Sequence, residues 1–191
     1  MKREMRENIK KAARQIFIKQ GIDKISMRNI ASKINYSPTT IYLYYKSKDE
    51  LLRDILADYN IEFDQKMAGI ICSNDDVLSK LRNFLLLYIN QGIDNPETYK
   101  LLNGYRFNMR DISQDSPENS KYFILKGFVI NLIDAGIFED SNPDSISLSL
   151  WLHCYGITTM AVFRPEMIKE ETSEFVNFSL NKIIKSFRRK K

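Results

Sequence analysis

Apolar residues recur every three or four positions along most of this chain, which is the spacing of one face of an α-helix. Only seven glycines and five prolines interrupt the pattern, and such a low content favours long helices over a turn-rich β architecture. The first segment ends at Gly21, because glycine readily takes the left-handed conformation that closes a helix. We therefore predict an all-α protein, whose first helix buries Met5, Ile9, Ala12, Ala13, Ile16 and Phe17.

The next two predicted helices are short and closely spaced. Ser26 is a good N-cap for a helix that buries Ile30 and Ile34, and Asn35 tolerates the positive φ of a tight turn. Ser37 can cap a third helix with Pro38 at its first position, where the missing N–H costs nothing. That helix is predicted to reach Tyr44 or Tyr45. Helix, tight turn and short helix within about twenty residues form a helix-turn-helix.

The rest of the sequence reads as longer helices. A fourth begins at Ser47 or Lys48, and the later ones are predicted from Asp75 or Asp76 to Gly92, from Asn95-Pro96, from Ser116-Pro117 to Gly136, over about 144–164, and over 170–188. The segment 144–164 is apolar nearly all round, so it must be covered on every side, and a partner subunit is the expected cover. Its serines, threonines and His153 argue against a membrane span.

Charge is divided unevenly along the chain, which has a net charge of +5. Residues 1–54 contain thirteen Lys or Arg against six Asp or Glu, whereas residues 55–181 contain ten against eighteen. Residues 182–191 add six basic side chains, and we interpret the last four, residues 188–191, as a frayed, solvated tail rather than as a DNA contact. A basic N-terminal region on an acidic body suggests a polyanionic partner for that region.

The third helix combines tyrosines, threonines and lysines in a way that suits DNA. Hydroxyl groups and backbone N–H groups donate to phosphate oxygens, and lysines add salt-dependent attraction. We expect Thr40, Tyr42 and Lys48 to anchor the protein on phosphates. Pro38, Thr39 and Tyr44 are then placed to touch base edges and thymine methyl groups. We expect Tyr45 to face inward.

Residues 9–55 resemble the DNA-binding domain of TetR-family transcriptional regulators. The order and spacing match across about a quarter of the chain, with two departures: Asn35 replaces the usual turn glycine and Tyr45 the usual phenylalanine. The matching positions are Ala12-Ala13, Phe17, Gly21, Ser26, Ile30-Ala31, Asn35-Tyr36-Ser37, Tyr42-Leu43-Tyr44-Tyr45, Lys48 and Leu51-Leu52.

The resemblance implies phosphate contacts at Thr40, Tyr42 and Lys48, and base contacts from Arg28, Pro38, Thr39 and Tyr44. It also implies a DNA-binding domain over 1–47 followed by a helical effector-binding and dimerisation domain over 48–191. Such a protein is a cytoplasmic homodimer that binds a palindromic operator, usually represses, and is released by a small molecule. We expect that effector to be largely apolar.

Residues of the larger domain are predicted for two further roles. We expect an effector cavity to be lined by Tyr99, Leu102, Tyr105, Arg106, Met109, Phe128, Asn131, Trp151 and Tyr155. We expect a four-helix dimer interface built from the last two helices, and containing Leu148, Leu152, Phe175, Leu180, Ile183 and Phe187.

Two other classes of function are weighed against this one. An enzyme using His153 and Cys154 would need a nucleophile elbow, paired metal ligands or a phosphate loop, and the sequence offers none of these motifs. An effector-independent architectural DNA-binding factor, or a helical adaptor, remains the alternative. No catalytic, metal or cofactor residue is predicted.

Overall fold

The computed structural model describes residues 2–108, 117–167 and 172–189. The regular structure in these ranges is helical, as predicted. The helices are α1 (Lys2–Gln20), α2 (Met27–Lys33), α3 (Pro38–Tyr42), α4 (Lys48–Cys72), α5 (Val77–Asp94), α6 (Pro96–Asn108), α7 (Pro117–Asp134), α8 (Pro143–Phe163) and α9 (Thr172–Ser186). The predicted starts at Ser116 and Glu170 lie outside the described residues.

Side-chain caps begin the helices where the sequence predicts them. The Ser26 hydroxyl accepts the backbone N–H of Asn29 at the start of α2, and Asn142 accepts two backbone N–H groups at the start of α8. Asp76 does the same before α5. Each cap satisfies N–H groups that have no partner inside the helix. One boundary differs from the prediction: α3 ends at Tyr42, with Leu43 as its C-cap, rather than at Tyr44 or Tyr45.

The described residues divide into two compact units. The first contains 2–61 and 95–108, and the second contains 62–94, 117–167 and 172–189. The predicted DNA-binding domain ended at residue 47, whereas the first unit also contains the first part of α4 and all of α6. Helix α4 thus contributes residues to both units.

The first unit is organised around small and branched side chains from α1, α2, α3, α4 and α6. Alanines at positions 12, 13 and 31 let backbones approach closely, and the larger apolar side chains fill the remaining space. The fully or nearly fully buried residues are Ile9, Ala12, Ala13, Ile16, Ile25, Met27, Ile30, Ala31, Ile41, Tyr45, Leu51, Leu52, Ile55, Leu56 and Leu101.

The second unit packs α5, α7, α8, α9 and the end of α4 around a larger core. Helix α9 buries Val176, Leu180 and Ile184, which are spaced four residues apart and therefore share one face. The other core residues are Phe63, Leu81, Phe84, Leu85, Ile89, Leu125, Val129, Leu132, Phe138, Ile146, Leu150, Cys154 and Ile157.

Helix α8 is the one described helix that is long and apolar enough to cross a membrane by length and composition, and 39% of its most apolar window is buried. The core helix of a soluble protein passes the same test. Ile146, Leu150 and Cys154 belong to the core of the second unit. Because one face of α8 is occupied by that core, we treat it as a core helix.

The C-terminal segment is attached to the loop before α8. Phe138 and Arg188 form an isolated antiparallel β-bridge. The Glu139 N–H donates to the Phe187 carbonyl at 2.9 Å, and the Arg189 N–H donates to the Ile137 carbonyl at 3.0 Å. The prediction of a frayed tail is therefore wrong for Arg188 and Arg189, although the side chains of both residues are exposed.

Candidate nucleic-acid interface

A tight turn joins α2 to α3 and fixes the path of the chain between them. Asn35 has a φ of 58°, so it lies in the left-handed region, as predicted. Its N–H donates to the Ser32 carbonyl at 3.3 Å, and the Tyr36 N–H donates to the Ala31 carbonyl at 2.9 Å. This pair of bonds is a Schellman motif, which satisfies the last carbonyls of α2 and ends the helix.

The start of α3 is held by side-chain hydroxyls. The Ser37 hydroxyl oxygen accepts the Thr40 N–H at 3.1 Å and lies 2.9 Å from the Thr40 hydroxyl. Pro38 occupies the first turn. In a helix of only five residues the cap supplies much of the local order, because isolated short helices are marginal in water.

Burial of Ile41 determines which side of α3 faces outward. Ile41 is fully buried in the core of the first unit, so residues on the opposite side of the helix point away from it. Pro38, Thr39 and Tyr42 are exposed, and Tyr42 retains 54% of its accessible surface. Arg28 on α2 is also exposed. These four predicted contact residues are therefore accessible to a partner.

Three other predicted contact residues have internal partners. Thr40 is half-buried and its hydroxyl lies against that of Ser37. Tyr44 is half-buried and packs against the core of the first unit. The Lys48 ammonium donates to the Ile22 carbonyl at 2.8 Å, which ties the start of α4 to the short 3-10 helix at Ile22–Lys24.

Two exposed side chains next to α3 were not among the predicted contacts. Leu43 is 75% exposed and Tyr36 is 52% exposed. An apolar residue between Tyr42 and Tyr44 carries no recognisable DNA-binding signal in the sequence alone. The exposure of Leu43 can be recognised only in the structure, where α3 ends at Tyr42 and Ile41 points inward.

Tyr45 lies inside the first unit, as predicted, and its hydroxyl has a specific partner. It donates to the Asp54 carboxylate on α4 at 2.6 Å. Burial raises the pKa of Tyr45, and the bond to Asp54 raises it further. Partial burial acts to raise the pKa of Asp54, but the hydrogen bond from Tyr45 and the nearby Lys10 and Arg6 outweigh it, so the pKa is lowered overall.

Basic side chains of α1 contact acidic side chains of α4. Lys10, which is nearly fully buried, lies 2.7 Å from Asp58 and 2.7 Å from Glu7. Arg14 lies 3.6 Å from Asp58. Part of the basic charge of α1 is thus paired within the unit, and that part contributes less to attraction of a polyanion than the sequence count implies.

The residues predicted to line an effector cavity fall in different units. Tyr99 and Leu102 belong to the first unit, where Leu102 packs against the core, whereas Phe128, Trp151 and Tyr155 belong to the second. Met109 lies outside the described residues, as do the side chains of Tyr105 and Arg106.

The second unit has an aromatic group around Trp151. The Trp151 ring lies 4.9 Å from that of Tyr88 and 6.2 Å from that of Tyr122. Phe128 contacts Phe84 at 5.9 Å. Asn131, predicted to line the cavity, is exposed on α7.

The predicted dimer residues separate into exposed and internal groups. Leu148 and Leu152 on α8 are 50% and 58% exposed, and Phe175 on α9 is 45% exposed. Leu180 is fully buried, so its assignment to a surface between subunits is wrong: it belongs to the face of α9 that packs on its own core. Ile183 and Phe187 are partly buried against that same core.

The two residues of the enzyme alternative have different surroundings. The His153 Nε2 lies 2.9 Å from the Ser179 hydroxyl. Burial lowers the pKa of His153, and the contact with Ser179 offsets part of that effect. Burial also raises the pKa of the Cys154 thiol to about 12, so the thiol stays protonated. In the described part of the chain, no group of three metal-ligating side chains is placed to hold a metal ion.

Comparison with known proteins identifies the N-terminal region. The sequence model described as "Bacterial regulatory proteins, tetR family" matches residues 9–55. An uncharacterised HTH-type transcriptional regulator of Haemophilus influenzae is 39% identical over 51 residues. That match covers 27% of this chain and 27% of the relative, so the chain spans about a quarter of the length of the curated relative that it matches.

Solved structures resemble nearly the whole chain. A TetR transcription regulator from Haloarcula marismortui has a TM-score of 0.74 at 19% identity, covering 97% of this chain and 99% of its own. The ketosteroid transcriptional regulator KstR2 of Mycobacterium tuberculosis has a TM-score of 0.78 at 13% identity, covering 97% and 96%. A transcriptional regulator from Saccharomonospora viridis in complex with choline has a TM-score of 0.76 at 16% identity, covering 98% and 99%. At these identities the likeness shows the fold.

The capped α2–turn–α3 unit with its exposed, hydroxyl-rich outer side therefore defines a helix-turn-helix DNA-binding protein with a second helical unit. The matching sequence model and the shared fold specify it further. Residues 9–55 match the DNA-binding region of the TetR family of bacterial transcriptional regulators, and nearly the whole chain shares the fold of solved TetR-type structures.

Proposed function

We propose that this protein is a dimeric, ligand-responsive repressor that binds a near-palindromic operator through α3. The observation that supports this most directly is the outward side of α3, where Pro38, Thr39 and Tyr42 are exposed while Ile41 holds the helix on its core. A recognition helix needs this combination, because base contacts require accessible side chains on a rigid support.

Each exposed residue is assigned a role by its chemistry. The Tyr42 hydroxyl can donate to a phosphate oxygen, which fixes register without reading sequence. Thr39 presents a hydroxyl and a methyl group, which suit base edges and thymine methyls. Leu43, which is 75% exposed, adds an apolar surface beside them.

An apolar surface on the second unit supports dimerisation. On α8, Leu148, Leu152 and Phe163 are exposed, and on α9 the same holds for Phe175 and Phe178. Large apolar side chains concentrated on two helices mark an interaction surface rather than scattered exposure. A two-fold axis would let each copy cover the same surface of the other.

An apolar effector is supported by the composition of the second unit. Its interior contains the aromatic contacts of Trp151, Tyr88 and Phe128, and small-molecule sites are lined mainly by apolar and aromatic side chains. We propose that the effector acts on α4, which contributes residues 48–61 to the DNA-binding unit and 62–72 to the second unit. Near-complete release would need roughly 5 kcal/mol of differential affinity between the two conformations. The protein would act in the bacterial cytoplasm, where its operator lies.

Selection of bound duplexes from a random DNA pool, at two salt concentrations, tests the DNA-binding part of this proposal. We expect a palindrome with half-sites about 34 Å apart, one helical turn. Thr39→Ala should change the preferred bases, whereas Tyr42→Phe should weaken all sequences to a similar degree. Recovery of no preferred sequence, with binding lost at modest salt, would instead favour an architectural DNA-binding factor.

A further inference from the structure

One carboxylate in the first unit joins three separate parts of the chain. Asp54 on α4 accepts the Tyr45 hydroxyl at 2.6 Å and Arg6 of α1 at 3.3 Å, and the Lys10 ammonium lies 3.9 Å away. A charge-assisted hydrogen bond of this length is among the stronger side-chain contacts in proteins. Asp54 therefore links the helix that is shared with the second unit to the segment that follows the recognition helix.

Arg6 also connects Asp54 to the segment that follows α3. Its guanidinium lies over the Tyr45 ring, 4.4 Å from the ring centroid, and it also donates to the Tyr44 carbonyl at 3.4 Å. Tyr44 and Tyr45 directly follow Leu43, the C-cap of α3. Arg6 therefore contacts both the Tyr44 backbone and the Tyr45 ring, and Arg6 and Tyr45 both bind the Asp54 carboxylate.

The hydrogen bond from Tyr45 to Asp54 depends on a hydroxyl group that the family pattern lacks at this position. The family pattern has phenylalanine at this position, and a phenylalanine ring would fill the same buried space. Tyr45 is fully buried, so its hydroxyl would be destabilising without a partner. The Asp54 carboxylate supplies that partner, which explains why tyrosine can replace the usual phenylalanine here.

We propose that Asp54 is a positioning residue for DNA recognition, which holds the C-terminal end of α3 against α4 through the Tyr45 hydroxyl and Arg6. A rotation or shift of α4 would then move the end of the recognition helix with it, because the two are joined by directional bonds rather than by apolar packing alone. This inference rests on the proposed operator binding and assigns the coupling step to named atoms.

The test uses isosteric variants of the full-length protein. Tyr45→Phe removes the hydroxyl and keeps the ring, and Asp54→Asn removes the charge and keeps the shape. Asp58→Asn is the matched control: it removes the same charge one turn further along α4, from a residue that is paired with Lys10 and Arg14 of α1. Affinities for the selected operator and for a random duplex are measured for each variant across a salt series, together with thermal unfolding.

We expect Tyr45→Phe and Asp54→Asn to lower the ratio of operator to random-duplex affinity about tenfold, the scale of one hydrogen bond to a charged group. The salt dependence should stay unchanged, because no phosphate contact is lost. Asp58→Asn should keep the ratio within about twofold. The double variant of Tyr45 and Asp54 should lose less than the two single losses combined, since Tyr45→Phe removes the bond that Asp54→Asn weakens.

An unchanged ratio in both Tyr45→Phe and Asp54→Asn, with only a lower melting temperature, would overturn the positioning role and leave a purely structural bond. An equal loss in Asp58→Asn would also overturn it, because the effect would then follow charge rather than the link to α3. If the wild-type protein shows no operator preference, the proposed operator binding is wrong. If the wild type shows a preference and the variants retain it, only the positioning role of Asp54 is wrong.

Discussion

Truncation of Leu152 is the sharpest test of the proposed dimer. This leucine on α8 is 58% exposed, so a partner subunit has about half of its side chain left to cover. Complete burial of a leucine side chain is worth about 1.5–3 kcal/mol, and the exposed part is therefore worth roughly 1–1.5 kcal/mol. A two-fold interface uses the residue twice, which brings the loss for Leu152→Ala to about 2–3 kcal/mol.

That loss corresponds to a rise of about 30- to 150-fold in the dimer dissociation constant. Sedimentation equilibrium over a wide range of protein concentration measures it directly. Leu43→Ala is the matched control, because Leu43 is 75% exposed but lies next to α3 in the DNA-binding unit. We expect this control to dimerise like the wild type while it weakens DNA binding.

The reasoning is refuted if the dimer dissociation constant of Leu152→Ala lies within about threefold of the wild-type value. A change of that size is expected for a substitution outside the interface. An equal effect of Leu43→Ala would also refute it. In that case the exposed apolar surface of α8 and α9 would have to serve another partner, and the pairing of two operator half-sites would need a different interface.

Four further results are expected. Ser37→Ala should lower the free energy of unfolding by about 1 kcal/mol in urea titrations, because α3 loses its N-cap; a change below about 0.3 kcal/mol would show that the cap is dispensable. Asn35→Gly should be tolerated while Asn35→Val destabilises by at least about 1 kcal/mol, since a positive φ disfavours a branched side chain. A thiol reagent should label Cys72 rapidly and Cys154 only after denaturation, as one is exposed and the other buried; equal rates would contradict this. The lowered pKa of Asp54 means that it stabilises the folded state at neutral pH and that this contribution is lost as the pH falls below about 4; acid titrations of Asp54→Asn should lack that part of the loss.

Local signals made the fold predictable. Ser26, Ser37 and Asn142 are caps whose partners lie two or three residues ahead, so the sequence contains everything that determines them. The turn at Asn35 is also determined locally, because its left-handed conformation depends on its own side chain and on a turn two residues long. Such features depend on short-range geometry and do not need the tertiary structure.

Features that depend on distant residues were missed or misassigned. Leu180 was predicted to lie in the dimer interface because it belongs to the apolar stripe of α9, and periodicity alone cannot say whether that stripe faces a partner or the subunit's own core. The contact between Asp54 and Tyr45 requires α3 and α4 to be in place before it can be recognised. The exposure of Leu43 likewise depends on the point where α3 ends.

The bridge between Phe138 and Arg188 has a consequence for the order of events during synthesis. The residues that hold the C-terminal segment to the loop before α8 include Arg188 and Arg189, and these leave the ribosome after all of the described helices. The DNA-binding unit needs nothing beyond α6, so it can assemble while the remaining helices are still being made. The second unit can be closed only once Arg189 has been made, and we expect a nascent chain to carry a folded DNA-binding unit before it carries a complete second unit.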